Sequence, residues 1–519
     1  MDEVKRQKDA FETIIRGVAE EAGLVEKKVP VEGRMDPCTL VIFGASGDLT
    51  KKKLLPALFH LFLNRSLPAP FLIVGSARTQ MSDEDFRTHA REALSGQGIQ
   101  EQGKWNAFAS LLRYRPIEYG EAFSFEALAA ALRDLDRQQG TGGNRIFYLA
   151  VPPSLYETTA ERLGKAGLAQ ERSRGNGWSR MVVEKPFGRD LPTAMALDRA
   201  LHRHFQEHQI FRIDHYLAKE TVQNVLMLRF ANAIFEPLWN RNYVDSIRIT
   251  AAESMGIESR AGYYEPSGVL RDMFQNHMMQ LLALTAMEPP SLFEAERVLD
   301  EKAKLHRALR PFPVDKLGES IVLGQYERGV VDGKPVPAYR EEPGVNPASL
   351  TPTYAMMKVF VDNWRWQGVP FLMTSGKRLA KKLTEIVIQF KEIPHSVFRR
   401  VLGQDIRANR LTLGIYPEEK ITLTFQTKTP GAQIGLRSVT MEFHYHQGYQ
   451  GPVLEAYEKV LLDIMMGDHM LFWRQDGVEL CWSFLTPILE ECETCSNRAK
   501  MLLPYEAGTW GPDAARNLL

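Results

Sequence analysis

Two kinds of hydrophobic patterning divide the chain. Near its start the apolar residues come in short, nearly continuous runs: Cys-Thr-Leu-Val-Ile-Phe-Gly-Ala at 38–45, then Phe71-Leu72-Ile73-Val74-Gly75. Between them Lys53-Leu54-Leu55-Pro56-Ala57-Leu58-Phe59-His60-Leu61 has a helical spacing. A further helix is predicted after Ser82, an N-cap followed by Asp83, Glu84 and Asp85, where acids suit the positive end of the helix dipole. Ser124 to Gln138 reads as an amphipathic helix, Arg145 to Val151 as a strand, and Met181-Val182-Val183-Glu184 as another strand. Apolar strands alternating with helices predict a parallel sheet covered on both faces, a doubly wound α/β domain.

From about Asp214 the rhythm changes to strict alternation of apolar and polar residues. Ser246–Thr250, Thr384–Phe390, Leu411–Leu413 and Lys420–Phe425 read as antiparallel strands with one buried and one wet face. With helices expected around 216–230 and 268–287, this part is predicted to be a large α+β domain. Residues 328–353, with prolines at 335, 337, 343 and 347, read as an irregular surface connection. The expected division is a helical extension over 1–35, a dinucleotide-binding domain over 36–213, and a substrate-binding and oligomerisation domain over 214–519.

Composition adds exclusions. The 519 residues are 44% apolar and 25% charged, which excludes a disordered, collagen-like or disulfide-scaffold chain. Lys plus Arg and Asp plus Glu each total 64, so the basic excess of a general nucleic-acid or membrane-surface binder is missing. Four cysteines are too few to staple a chain of this size and fit a reducing compartment. Cys492 and Cys495 read as small residues near a helix end rather than a metal or redox motif. No apolar run approaches the ~20 residues of a membrane span. The first 28 residues mix acids with Lys and Arg, unlike a signal or transit peptide, and a cytoplasmic location is expected.

The first strand runs into Gly44-Ala45-Ser46-Gly47-Asp48-Leu49 and then a helix. Gly44 permits a tight turn, and Gly47 lets the backbone approach a pyrophosphate at the helix N-terminus, where N–H groups are unpaired. The spacing departs from G-x-G-x-x-G, because Ala45 and Ser46 separate the glycines; its place on the first strand of a Rossmann-like βαβ series carries the inference. The second strand ends in Gly75-Ser76-Ala77-Arg78. NAD-specific sites hold the ribose 2′-hydroxyl with Asp or Glu at this position; Arg78 can pair with a 2′-phosphate and Ser46 can add a hydroxyl, which favours NADP. The bland alternative is a solvated surface arginine.

Three segments concentrate polar residues in apolar surroundings. Glu184-Lys185-Pro186-Phe187-Gly188 follows a parallel strand, so Lys185 is expected at the mouth of the cofactor crevice; a cis Pro186 would fix its direction. Arg212-Ile213-Asp214-His215-Tyr216-Leu217-Ala218-Lys219-Glu220 offers an anion and three donors suited to a phosphorylated substrate, and a helix starting here would put His215 and Lys219 on one side. Arg271-Asp272-Met273-Phe274-Gln275-Asn276-His277 lies on a helix otherwise rich in Met and Leu. A helical histidine is more often structural; Asp214 within reach would orient the imidazole and stabilise its protonated form. His444 and His446 share a strand face with no third ligand visible, so no metal is expected.

Together these segments resemble the glucose-6-phosphate dehydrogenase family: GASGDLTKKKLLP (44–56), FYLAVPP (147–153), EKPFG (184–188), RIDHYLAKE (212–220), RDMFQNH (271–277) and GVPFLMTSGK (368–377). The resemblance covers about residues 36–490 and rests most on RIDHY-x-x-KE. It implies glucose 6-phosphate as substrate, oxidised at C1 with hydride transfer to NADP. It implies His277 as general base, Asp214 as its carboxylate partner, and Lys185 as a lysine touching both substrate and cofactor. It further implies His215, Tyr216 and Lys219, with Lys382, as the phosphate-binding group, Glu253 and Asp272 as carboxylates on sugar hydroxyls, and Lys377 in the substrate-side turn. The flanks of Glu253, Ala-Ala-Glu-Ser-Met, differ from the usual family wording. Dimers or dimer pairs built through a large antiparallel sheet are also implied. Some members carry a second, structural NADP site, for which Arg399 and Arg400 are basic candidates without a clear match. Two alternatives remain open here: an oxidoreductase of the inositol and glucose–fructose type, which also carries Glu-Lys-Pro, and a non-catalytic NADP-sensing protein.

Overall fold

A computed structural model describes residues 35–95, 102–171, 177–214, 216–217, 219–398, 406–432, 435–445, 447 and 453–518. The expected N-terminal extension lies outside the described residues. The parallel sheet forms from β1 (Cys38–Phe43), β2 (Phe71–Ser76), β3 (Leu112–Tyr114), β4 (Arg145–Leu149), β5 (Ser179–Val183) and β6 (Ile210–Arg212) in the order β3-β2-β1-β4-β5-β6. Every pairing in it is parallel, and β1 and β2 are buried throughout, as expected for strands with both faces covered. The order reverses between β1 and β4, which opens a crevice beyond their carboxyl ends. Helices α1 (Leu55–Leu63), α2 (Asp83–Ala93), α3 (Ala122–Gln139) and α4 (Leu191–His202) belong to this layer. Ser82 caps α2 by accepting from the Asp85 N–H at 3.1 Å, and the Asp85 carboxylate closes the box on the Ser82 N–H at 2.9 Å.

The second sheet has nine strands among the described residues. They are β7 (Val244–Ala252), β8 (Ile321–Glu327), β11 (Tyr354–Val359), β12 (Phe371–Gly376), β13 (Leu383–Phe390), β14 (Arg410–Tyr416), β15 (Lys420–Lys428), β16 (Leu436–His444) and β17 (Leu502–Glu506), in the order β16-β15-β14-β13-β7-β12-β11-β8-β17; β9 (Gly329–Val331) and β10 (Lys334–Val336) form a separate hairpin. The large sheet is mostly antiparallel, with parallel pairs at β7–β12 and β8–β17. Thus the stretch 328–353 is not wholly irregular: Asp332 and Gly333 turn with positive φ between its two short strands. The fold is a Rossmann-like α/β layer followed by a larger α+β layer with a large, mainly antiparallel sheet.

Helix α5 (Glu220–Phe230) starts at Glu220 and not at the Asp-His-Tyr segment, because Asp214 and Tyr216 form a turn in which Tyr216 N–H donates to Asp214 Oδ1 at 3.0 Å. The next long helix, α6, winds as wide π-type turns over Leu270–Met278 and continues as α over Met279–Ala286. After α7 (Ala295–Arg307), the chain builds most of the large sheet and then sends α8 (Ala456–Met466) back onto the first domain. There Val460, Leu461 and Ile464 join the core formed by Leu40, Ile42 and Leu58. Helix α9 (Gln475–Thr494) ties the layers together. Its first N–H, on Gln475, donates to Glu207 at 2.8 Å, and Trp473 N–H donates to Arg212 O at 3.0 Å. Glu207, Asp198, His202 and the buried Arg212 form one ion-pair cluster beneath that junction. Cys492 lies in α9 and Cys495 just past its end, and both are free thiols.

Candidate active site

The glycine turn sits where the crevice opens. Gly44 has φ of +84°, and a Cβ on it would lie 2.2 Å from Ala150 O, after β4. Only glycine fits this close crossing of two strand ends. Ala45 is buried beneath the turn, while Ser46, Gly47 and Leu49 are half-buried and Asp48 is exposed. Thr50 Oγ1 donates to Gly44 O at 3.1 Å and fixes the turn from within. Lys52 pairs with Asp48 at 2.7 Å, offsetting a carboxylate at an anion-accepting helix start. Arg78 is exposed beyond β2, and the next residue, Thr79, donates its hydroxyl to Ser46 Oγ at 3.2 Å. The residues present therefore fit a dinucleotide.

Across the crevice, Glu184-Lys185 emerges from β5. The Lys185–Pro186 peptide is cis, and Trp482 of α9 holds the following turn by donating to Phe187 O at 2.8 Å. Lys185 Nζ donates to Asp272 O at 2.9 Å, lies 3.3 Å from Asp272 Oδ1, and meets His277 Nε2 at 2.9 Å. On the other ring nitrogen, His277 Nδ1 is 2.6 Å from Asp214 Oδ1. An ammonium at one nitrogen and a carboxylate at the other define the tautomer: Nδ1–H donates to Asp214, and Nε2 carries the lone pair. His277 and Asp214 are 1% and 2% exposed. Burial holds His277 below the ordinary imidazole value, against the opposing pull of Asp214. Tyr216 stacks on the imidazole with centroids 4.1 Å apart. The product is a neutral, oriented histidine whose Nε2 lone pair faces an ammonium that a substrate hydroxyl can displace.

Asp272 has several cationic and polar neighbours. Lys377 Nζ lies 3.6 Å from Asp272 Oδ2 and 2.6 Å from Glu253 Oε2. Burial alone would raise Asp272, but Lys185 and Lys377 hold its carboxyl well below the usual range. Glu253 follows β7 and Lys377 follows β12, adjacent strands in register, so the pairing holds despite the unusual flanks of Glu253.

Lys219 and Lys382 meet at one aromatic wall: their Nζ atoms lie 5.8 and 4.3 Å from the Tyr416 ring, and Lys219 is also 4.3 Å from that of Tyr216. Burial and the nearby Lys382 charge lower the Lys219 ammonium. Among the described residues these lysines share no carboxylate ion pair, which makes the spot receptive to an anion. His215, Arg399, Arg400 and His446 lie outside the described residues.

Several residues of the site were given no role in the sequence reading. Tyr263 OH is 3.3 Å from Asp272 Oδ1, and the Tyr264 ring lies 5.0 Å from Lys377 Nζ. Tyr416 closes the lysine pair. Glu184, next to Lys185, is half-buried and accepts from Tyr148 OH at 2.6 Å and Tyr457 OH at 3.3 Å. The two adjacent tyrosines nine and eight residues ahead of Asp272 were the available signal for the first pair. The other two depend on pairings between distant segments.

The chain matches known proteins over nearly its whole length. Residues 41–224 match the family model described as glucose-6-phosphate dehydrogenase, NAD binding domain, and residues 226–519 match its C-terminal domain. A glucose-6-phosphate 1-dehydrogenase of Aggregatibacter actinomycetemcomitans is 47% identical over 490 residues, covering 94% of this chain and 96% of that relative. The Bacillus subtilis glucose-6-phosphate 1-dehydrogenase is 42% identical over 92% of this chain and 96% of its own length. A solved glucose-6-phosphate dehydrogenase in complex with its substrate glucose-6-phosphate superposes with a TM-score of 0.86 at 34% identity, covering 94% of this chain and 98% of that one. The Mycobacterium avium glucose-6-phosphate 1-dehydrogenase gives 0.79 at 32%, covering 93% and 97%. Matched along both layers at these identities, the chain belongs to the glucose-6-phosphate dehydrogenase family.

Proposed function

We propose that this chain oxidises D-glucose 6-phosphate at C1 to 6-phospho-D-glucono-1,5-lactone and reduces NADP. The observation that carries the reading is the buried Asp214–His277–Lys185 chain at the crevice mouth. When bound, the nicotinamide supplies the hydride acceptor. His277 Nε2 takes the C1 hydroxyl proton as the C1–H bond breaks, and Asp214 stabilises the imidazolium that forms. Lys185 yields its place on Nε2 to that hydroxyl and stays beside it as a donor. Lys219 and Lys382, with His215 and Tyr216, bind the sugar's phosphate; Glu253, Asp272 and Lys377 hold its hydroxyls. The turn from Gly44 to Leu49 cradles the pyrophosphate, and Arg78 with Ser46 selects the 2′-phosphate. Dry walls around His277 keep the proton transfer from leaking to water.

The assay is reduction of NADP in the presence of glucose 6-phosphate, with inositol as the competing polyol. Activity with the sugar phosphate alone supports the reading; turnover of inositol alone overturns it. His277→Asn is expected to lower kcat by about 10²–10⁴-fold with KM nearly unchanged, and a near-normal rate removes His277 from its role. The exposed face and edge around β16, where Met441 and Phe443 project, support a homodimer or dimer of dimers built on the large sheet. Cytoplasmic residence fits the four free thiols.

A further inference from the structure

The turn that carries two of the substrate lysines is held in place by the end of the chain. Residues 377–382 join β12 to β13, with Lys377 first and Lys382 last. One set of bonds ties this turn to the end of β7: Leu379 N–H donates to Glu253 O at 2.9 Å, and Arg378 N–H to Met255 O at 3.1 Å. A second set comes from Tyr505 to Thr509, at and just beyond the end of β17.

Tyr505 lies 128 positions along the chain from Lys377 and is 4% exposed. Its hydroxyl donates to Lys377 O at 2.6 Å and accepts from Thr353 Oγ1 at 3.1 Å, and its ring packs 5.6 Å from that of Tyr354. Burial pushes the phenol up, so it keeps the proton that it donates. Two main-chain bonds follow: Gly508 N–H donates to Arg378 O at 2.8 Å, and Ala380 N–H to Thr509 O at 2.9 Å. Gly508 has φ of +91°, and a Cβ on it would lie 2.0 Å from Val330 O of the β9–β10 hairpin. Only glycine fits so close a passage. Arg378 has φ of +51°, a conformation that a residue with a side chain keeps only where its surroundings over-determine it. The bonds on its N–H and its carbonyl supply that constraint.

We propose that Tyr505 is a positioning residue for glucose 6-phosphate: by holding Lys377 O it sets how the turn presents Lys377 to the sugar and Lys382 to the phosphate. One shift of the turn loosens both lysines. The Gly44 turn and His277 lie on other elements and keep their places, so the effect falls on the sugar phosphate and not on the dinucleotide. The inference rests on Lys377 and Lys382 facing the substrate, as proposed above.

Tyr505→Phe keeps the ring, removes the donor and leaves the Lys377 carbonyl without that bond. KM for glucose 6-phosphate is expected to rise about five- to tenfold, with kcat and the KM for NADP each within about twofold of the parent. A role limited to packing would lower the melting temperature and leave the ratio of the two KM values unchanged. An unmoved KM for glucose 6-phosphate in folded Tyr505→Phe overturns the proposal, as does an equal rise in both KM values. Should that variant be insoluble, Gly508→Ala displaces the same segment and carries the same comparison with the same outcomes. Lys377→Met separates the two readings. If it raises KM for glucose 6-phosphate where Tyr505→Phe does not, only the positioning role falls; if it leaves that KM unmoved, the substrate assignment of the turn falls with it.

Discussion

A single histidine lies between opposite charges, and that placement fixes the acid side of the pH profile. Burial lowers His277 from its ordinary value of 6.5. The base form is therefore present above the lowered value and is lost as pH falls through it. The acid limb of kcat/KM is expected below pH 6.5, and a limb above that value would contradict the burial argument. Arg78 makes the second test at this scale. Charge-assisted hydrogen bonds to a 2′-phosphate are each worth about 1.5–3 kcal/mol. Arg78→Ala should lower kcat/KM for NADP by at least about tenfold and barely change it for NAD, measured with both cofactors at saturating glucose 6-phosphate. Equal losses with the two cofactors would assign Arg78 to the surface.

Among the elements, the glycine turn and the π-type helix do the positioning. Gly44→Ala would force a Cβ into Ala150 O at a positive φ, so the turn must open. We expect NADPH binding, followed by its fluorescence, to weaken at least about tenfold while the far-ultraviolet circular dichroism is kept. Undiminished binding would mean the turn does not cradle the cofactor. Wide turns over Leu270–Met278 change which side chains share a face. They accompany the presentation of both Asp272 and His277 to Lys185, five residues apart on one helix. Helical periodicity cannot show this, because it assumes a uniform turn. The start of α5 is a similar case. Polar density at 212–220 was legible as a site, but a local hydrogen bond from Tyr216 to Asp214 replaced the expected first helical turn.

The whole molecule depends on the junction at the strand that leads into Asp214. Arg212, buried, bridges Asp198 at 2.6 Å and Glu207 at 2.8 Å, and Glu207 also caps α9. Arg212→Met leaves Asp198 and Glu207 with His202 as their remaining cation and should lower stability, by at most about 3–5 kcal/mol, read by thermal melting. An unchanged melt would show the cluster to be idle. Its pH window follows from the two shifted groups. Burial opposes ionisation of Glu207, but His202 and Arg212 bring it down to about 2. It therefore stabilises the fold above its unfolded value of roughly 4.3 and loses that contribution as pH falls toward about 2. Asp198 and Glu207 raise His202 to about 10, so its contribution is full below roughly 6.5 and is lost as pH rises toward about 10. Their joint contribution is greatest between roughly pH 4 and 7.

The sequence by itself determined what local chemistry determines. Continuous β-branched runs meant a parallel sheet, alternation meant a half-wet one, Ser82 capped its helix, and Gly44 marked a tight turn. The candidate residues were legible because polar groups cluster within short segments that interrupt apolar elements. Tertiary structure alone decided which of them meet. Asp214 and His277 are brought to 2.6 Å by two elements that share no local pattern, and Lys377 reaches Glu253 because β7 and β12 are neighbours in a sheet whose order no periodicity encodes. The return of α8 and α9 to the first domain has the same cause. Burial and long-range pairing arise when the whole chain packs, so no window of sequence contains them.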